Sequence, residues 1–401
     1  MGSGELFLKE VDRALPDRPF SIRLWDGATL PATNGGGPTF EVRSRDAFAH
    51  ALLAPGQLGL GRAYVSGALE VDDLDGTLEL LDEWKPPTID TRTRARLMVA
   101  AARGFGLRKP PSRPAAELRP RGKRHSVERD ARAVRHHYDV SNDFFRLMLD
   151  ESMTYSCAIF SRGATTLEDA QREKLELVCT KLNLQPGQRV LDIGCGWGSF
   201  ALHAAERHDV SVVGITLSEP QAVLARKRAE ERGLSDRVEI RVEDYRALTG
   251  EPFDAVASIG MVEHVGASQI DVYARQLARM VRPGGRVLNH GIGRLRMGDP
   301  EAGPFSERYV FPDGAPLHLS RIELALERAG LETEHVEGFR GDYAETLRHW
   351  ARNIDDNIEE ARRLAGPERV RVWRLYLRAA RRGFETGFTS IYQVRCSRAT
   401  G

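Results

Sequence analysis

A chain of 401 residues, 41% hydrophobic and 29% charged, has room for two domains and a sizeable core, which excludes a wholly disordered or collagen-like protein. No apolar run reaches the ~18 residues of a membrane span, and the first ten residues lack both a signal-peptide plan and, with Leu6 at the sixth position, a myristoylation signal. The net charge of +1 is uneven, because residues 92–135 hold 14 Lys and Arg against three acids.

Residues 1–90 read as a small α+β accessory domain. A turn at residues 34–38 (Asn-Gly-Gly-Gly-Pro) separates strands expected at 20–25 and 39–42. Apolar residues fall at helical spacing over 58–65 and 78–84. Residues 91–124, basic and carrying Pro110, Pro111, Pro114 and Pro120, read as a linker rather than a packed element. A solvated tether and a contact with a polyanion, either nucleic acid or anionic lipid, fit that charge equally well.

From about residue 181, β-rich apolar runs alternate with helices. Strands are expected at 189–193, 210–216, 238–242, 253–259 and 286–292, and helices include 199–207 and 220–232. That alternation predicts a mostly parallel sheet covered on both faces. Two further strands are expected at 331–338 and 391–397. The helical, Arg-rich segment 339–390 between them is a candidate lid over the site. Cys157, Cys179, Cys195 and Cys396 have no CxxC or paired spacing, so neither disulfides nor a metal site is expected.

The strongest local signal is Val190-Leu191-Asp192-Ile193-Gly194-Cys195-Gly196-Trp197-Gly198, a buried strand entering a glycine loop before a helix. Glycines let a ligand approach the backbone, and the helix start supplies free N–H groups. The dinucleotide pattern is not met, since Ser199 stands at the third glycine position and the next strand closes on Thr216-Leu217-Ser218. Asp-x-Gly-x-Gly-x-Gly resembles motif I of class I S-adenosylmethionine-dependent methyltransferases.

Further segments narrow the resemblance. His137-Tyr138-Asp139-Val140-Ser141-Asn142-Asp143-Phe144-Phe145, Thr154-Tyr155-Ser156-Cys157-Ala158, Gly214-Ile215-Thr216-Leu217-Ser218, Gly260-Met261-Val262-Glu263-His264-Val265-Gly266, His290-Gly291-Ile292 and Gly341-Asp342-Tyr343 follow in order. Over residues 125–398 the chain is similar to cyclopropane-fatty-acid synthases and mycolic acid methyltransferases. Leu58-Gly59-Leu60-Gly61-Arg62-Ala63-Tyr64 and Val71-Asp72-Asp73-Leu74-Asp75 extend the likeness into the N-terminal domain of the phospholipid-acting members.

The resemblance implies a catalytic domain at 125–401 with a Rossmann-like, mostly parallel α/β sheet, an antiparallel last strand and a helical lid insertion. It implies S-adenosylmethionine bound by Tyr155, Ser156, Asp192, Gly194, Gly196, Gly198, Thr216, Gln221, Glu243 and Asp244. It also implies a bicarbonate base held by Cys157, Glu263, His290, the Ile292 backbone N–H and Tyr343. The implied substrate is an unsaturated phospholipid acyl chain at an anionic membrane surface, met by a cytoplasmic enzyme on the inner face. Partners left open are a second copy of the chain and, for a methylene product, a reductase.

Two departures stand out. Ala380 occupies the place where many members carry a cysteine, which favours the bicarbonate account over a covalent one. Asn289-His290-Gly291-Ile292 replaces the commoner Leu-His-Thr-Ile, which leaves cyclopropane closure and a methylene branch both open. A nucleic-acid methyltransferase is disfavoured, because no Asp/Asn-Pro-Pro-aromatic motif occurs. A dead cofactor-binding regulator is disfavoured by the presence of Glu263, His290 and Tyr343.

Overall fold

The computed structural model describes residues 3–105, 111–118, 129, 141–298 and 303–400. The chain forms two compact units, Met1–Leu118 with Gly366–Arg382, and Arg119–Ala365 with Gly383–Gly401.

The first unit holds strands β1 (Ser21–Leu24), β2 (Thr29–Leu30), β3 (Thr39–Val42) and β4 (Leu69–Val71) in the order β2-β1-β3-β4. Phe7, Leu8 and Val11, on one face of the helix Ser3–Ala14, bury with Leu24 and Val42. Here the expected linker needs correction. Thr91–Phe105 is a helix, and Leu97, Ala100 and Ala101 pack against that same cluster. Their i, i+3, i+4 spacing was masked by Arg92, Arg94, Arg96 and Arg103 around it. Beyond the helix, Glu117 makes a bidentate pair with Arg62 at 2.6 and 2.7 Å, buried at both ends. The unit therefore runs to Leu118 rather than to residue 90. Of the expected linker, 106–110 and 119–124 lie outside the described residues.

The expected single lid over 339–390 also needs correction. Arg340–Asp356 belongs to the second unit, whereas the long helix Ile358–Glu385 breaks at Gly366. Gly366 takes φ +76°, a left-handed conformation that glycine adopts at no steric cost, and Pro367 follows it. After the break, the arginines seen in the sequence find partners within the first unit. Arg371 reaches Glu70 and donates to the Tyr64 carbonyl at 3.0 Å, while Arg378 and Arg381 meet Asp75 at 3.1 and 2.9 Å. Ala380 lies in this segment.

The second unit carries a seven-stranded sheet of β5 (Arg189–Ile193), β6 (Ser211–Thr216), β7 (Val238–Val242), β8 (Phe253–Ile259), β9 (Val281–Arg294), β10 (Leu331–Gly338) and β11 (Thr389–Arg398). Its order is β10-β11-β9-β8-β5-β6-β7. The five strands β5 to β9 pair in parallel, and β11 runs antiparallel to both β9 and β10. Successive residues of β5 point to opposite faces. Val190 packs with Leu182 and Phe200, and Leu191 with Tyr273 and Leu277. Both faces are apolar, which explains the unbroken hydrophobic runs in the sequence.

Candidate active site

Loops at the carboxyl ends of the parallel strands enclose one cavity, where open α/β sheets place their ligands. Its wall includes Tyr155, Ser156, Asp192, Gly194, Gly196, Thr216, Gln221, Glu243 and Asp244. Nine of the ten residues expected to contact the cofactor thus face one space. Gly198 does not line it. A Cβ there would sit 3.2 Å from Ala225 Cβ, so this glycine brings the loop close to the helix Glu219–Glu231. Gly196 differs. It has φ +54°, and the nearest atom to a Cβ would be Gln221 Nε2 at 4.0 Å, so the space beside it opens to the cavity.

Thr216 Oγ1 donates to Gln221 Oε1 at 2.9 Å, which leaves the Gln221 amide nitrogen as a donor. Ser218 caps the helix that carries Gln221. Asp244 is paired with Arg246 at 2.6 Å and accepts from the Arg246 backbone N–H, so its carboxylate is fixed from behind. The loop is held by the motif that precedes it. Trp197 Nε1 donates to Asn142 Oδ1 at 2.8 Å, and Phe145 packs on the same indole. The first residues of that motif, His137 to Val140, lie outside the described residues.

Sequence reading missed Lys174. It lies on the helix Leu167–Leu182, 1% exposed, and its Nζ donates to Ser156 Oγ at 3.0 Å at the cavity wall. Burial lowers its pKa to about 8 against the opposing charge of Asp150. Burial pushes Asp192 up to about 7 against the pull of Lys174, and Asp192 Oδ2 has no hydrogen-bond partner. A buried acceptor and a buried cation beside a glycine loop fit a ligand with both amine and carboxylate groups. One lysine in a helix with no motif around it gave no signal.

The five residues expected to hold an anion gather beside, not on, the wall of that cavity. Glu263 follows β8, and its carboxyl receives a hydrogen bond from the Ile292 backbone N–H. Burial raises its pKa to about 7, and Oε2 is buried without a partner. Gly291 makes this possible, since a Cβ there would lie 2.2 Å from Val262 Cγ1 and 3.0 Å from Glu263 Oε2. The room beside Gly291 is thus filled by Val262 and the carboxylate.

His290 is fully buried, and burial drives its pKa well below the usual value, so the ring is neutral. Its tautomer follows from its neighbours. Lys181 Nζ donates to Gln393 Oε1 at 2.6 Å, so the Gln393 amide nitrogen faces His290 Nδ1 at 3.2 Å as a donor. Nδ1 must then accept, which puts the proton on Nε2. Nε2 has no partner. Phe339 joins the remaining members. Its ring lies 6.3 Å from that of His290, and its carbonyl accepts from the Tyr343 backbone N–H at 3.0 Å and lies 3.8 Å from Cys157 Sγ. Cys157 is wholly buried, and burial holds its thiol protonated. The Tyr343 ring packs on Phe384 and Trp350, and Trp350 also covers Tyr155.

Known proteins resemble the chain throughout. The model of the mycolic acid cyclopropane synthetase family matches residues 125–394. A probable fatty acid methyltransferase of Mycobacterium tuberculosis is 39% identical over 96% of this chain and 92% of its own length. The cyclopropane-fatty-acyl-phospholipid synthase of Escherichia coli is 35% identical over 92% and 90%. The crystal structure of a mycolic acid cyclopropane synthase solved with S-adenosylhomocysteine and CTAB superposes with a TM-score of 0.63 at 31% identity, covering 67% of this chain and 98% of that one.

Proposed function

The chain belongs to the mycolic acid cyclopropane synthetase family of S-adenosylmethionine-dependent methyltransferases, and we propose that it methylates an alkene carbon of an unsaturated acyl chain in a membrane phospholipid. When bound, S-adenosylmethionine supplies an electrophilic sulfonium methyl. The site has two tasks after methyl transfer: to keep water from the positive charge left on the acyl chain, and to receive one proton from it.

The observation that carries the reading is a pair of buried polar atoms without partners. His290 Nε2 is a neutral N–H donor, and Glu263 Oε2 is a carboxyl oxygen. Together they suit a small oxyanion that can itself be protonated, and bicarbonate is the base we assign. His290 would donate to it, Glu263 would share its acidic proton, and Cys157 and Tyr343 would close the far side. Phe339, Trp350 and Phe384 supply the apolar wall that excludes water. Turnover in carbonate-depleted buffer should fall, and added bicarbonate should restore it. Full activity without carbonate would remove the anion from the account.

Which proton leaves decides the product. Loss from the new methyl closes a cyclopropane ring, our first assignment. Loss from a neighbouring carbon leaves a methylene branch, which a separate reductase would have to complete. Gly291 supports keeping the second reading, because it offers the anion no side-chain hydroxyl and Val262 fills the room a side chain would need.

For the membrane, the basic residues between Arg113 and Arg135 supply the contact with anionic headgroups, each contributing ~1 kcal/mol at a charged surface, except Arg129, whose guanidinium pairs with buried Asp313 at 2.6 and 2.7 Å. This assigns the enzyme to the inner face of the membrane as a peripheral protein. Among the described residues no helix is long and apolar enough to cross one.

A further inference from the structure

Two helices behind the glycine loop turn metal-binding side chains toward each other. Leu167–Leu182 contributes Glu176 and Cys179, three residues apart and so on one face. Ser199–His208 contributes His203 and His208, the latter as its last residue. His203 Nε2 and His208 Nε2 lie 3.1 and 3.2 Å from the same oxygen, Glu176 Oε2. One donor atom each from Cys179, His203 and His208 lies within 4.8 Å of the others. We propose that Cys179, His203 and His208 form a binding site for one divalent transition-metal ion, with zinc as the natural occupant and Glu176, which touches both imidazoles, at its solvent side.

The donor set is one sulfur and two imidazoles, with the Glu176 carboxylate beside both rings. Sulfur and imidazole select a first-row transition ion over magnesium or calcium, and three such ligands with Glu176 or a water in the fourth position match the tetrahedral habit of zinc. Binding replaces the Cys179 thiol proton, which leaves to solvent. The two rings coordinate as neutral imidazoles with their protons on the other nitrogen. Thiolate, carboxylate and a dication sum to zero charge, the arrangement that costs least to bury.

Access and depth are both suitable. Cys179 is fully buried among Val178, Leu182, Phe200 and Ala204, whereas the His203, His208 and Glu176 side chains are 11%, 20% and 46% exposed. An ion can therefore enter past Glu176 and be anchored by the sulfur. The sequence offered no zinc motif because the ligands come from two helices with no short spacing between them. The site does not overlap the cavity, but its helices do reach it: Lys174 lies on the first, and Ser199 and Phe200 begin the second. A bound ion would rivet together the two helices that frame the glycine loop.

The test uses the full chain, stripped with a chelator and titrated with Co2+ and then Zn2+. We expect one Co2+ per chain, with a near-ultraviolet thiolate-to-cobalt band and intense visible bands of tetrahedral type, both lost when Zn2+ displaces it. Zinc should also raise the thermal unfolding midpoint. Cys179→Ser should abolish the thiolate band, and His208→Gln, at the exposed edge, should weaken Zn2+ binding at least about tenfold while circular dichroism shows a folded chain. Absence of stoichiometric binding would mean that Glu176 merely hydrogen-bonds two histidines, and the site would be withdrawn. Binding that survives both Cys179→Ser and His208→Gln unchanged would place the ion elsewhere and overturn the proposal equally.

Discussion

Lys174 Nζ donates to Ser156 Oγ at 3.0 Å from inside the core, at the wall of the cavity that the glycine loop of Gly194 and Gly196 also lines. A cation with 1% exposure is expensive to keep unless acids stand nearby, and Asp150 and Asp192 both pull on it. Lys174→Met should therefore leave the Asp192 carboxyl buried without its cation and push its pKa above about 7. Cofactor affinity should drop by roughly tenfold or more, about 1.4 kcal/mol. Calorimetry with S-adenosylhomocysteine reads this directly, and unchanged affinity would make Lys174 a packing residue only.

Gly196→Val should abolish cofactor binding without unfolding the chain. At φ +54° a β-branched residue is strained, and its side chain would project into open cavity rather than into protein. A loss of roughly a hundredfold or more is expected, about 3 kcal/mol. Gly198→Val should instead lower stability, because its Cβ would press on Ala225. Paired titration and melting experiments on the two variants separate these outcomes.

Much of this site was legible because its residues sit in contiguous motifs. The loop from Asp192 to Gly198 and the segment Gly260 to Gly266 each carry their own context of strand, turn and helix. Lys174, Gln393 and Lys181 were not legible, since each acts through a contact more than fifteen residues away in sequence. The strands β5 to β8 could be read from their apolar runs. The helix Thr91–Phe105 could not, because its apolar stripe is only Leu97, Ala100 and Ala101 among arginines. The break at Gly366 was visible as a Gly-Pro pair, but nothing local says that the following helix packs with the other unit.

Gln393→Leu should impair turnover while sparing cofactor affinity. Without the amide donor, His290 Nδ1 loses the partner that keeps the proton on Nε2. Positioning partners of this kind typically cost ~10–100-fold when removed. A split between kcat and binding, with kcat alone affected, identifies the positioning role. Equal losses in both would point to general damage.

The Arg62–Glu117 pair predicts a large stability effect in the first unit. Glu117→Ala would leave the Arg62 guanidinium buried without its bidentate partner, at a cost of about 3–5 kcal/mol. Urea denaturation of the full chain should show it. A change below about 1 kcal/mol would mean that residues 111–118 are not part of that unit's core.

Glu263 links pH to stability with a definite sign. Its carboxyl titrates near 4.5 when unfolded and at about 7 in the fold, so between those values the folded chain binds more protons. Its contribution is fully present below pH 4.5 and is lost as pH rises through 7, by up to roughly 3 kcal/mol. Glu263→Gln has no such carboxyl, so its stability relative to wild type should improve from pH 5 to pH 7.5. The same variant should lose ~10²–10⁴-fold in turnover while keeping its affinity for cofactor and lipid. Activity within about threefold of wild type would make Glu263 structural.

The proposed reaction moves methyl carbon from S-adenosylmethionine into an acyl double bond. Purified full-length protein, incubated with vesicles of a mono-unsaturated anionic phospholipid and methyl-13C S-adenosylmethionine, tests it by NMR and mass analysis of the released fatty acids. Acyl chains heavier by one labelled CH2 are expected, with the label in a cyclopropane ring and the double bond gone. Label found only in a headgroup, in another acceptor or nowhere, under conditions where cofactor binds, would contradict it.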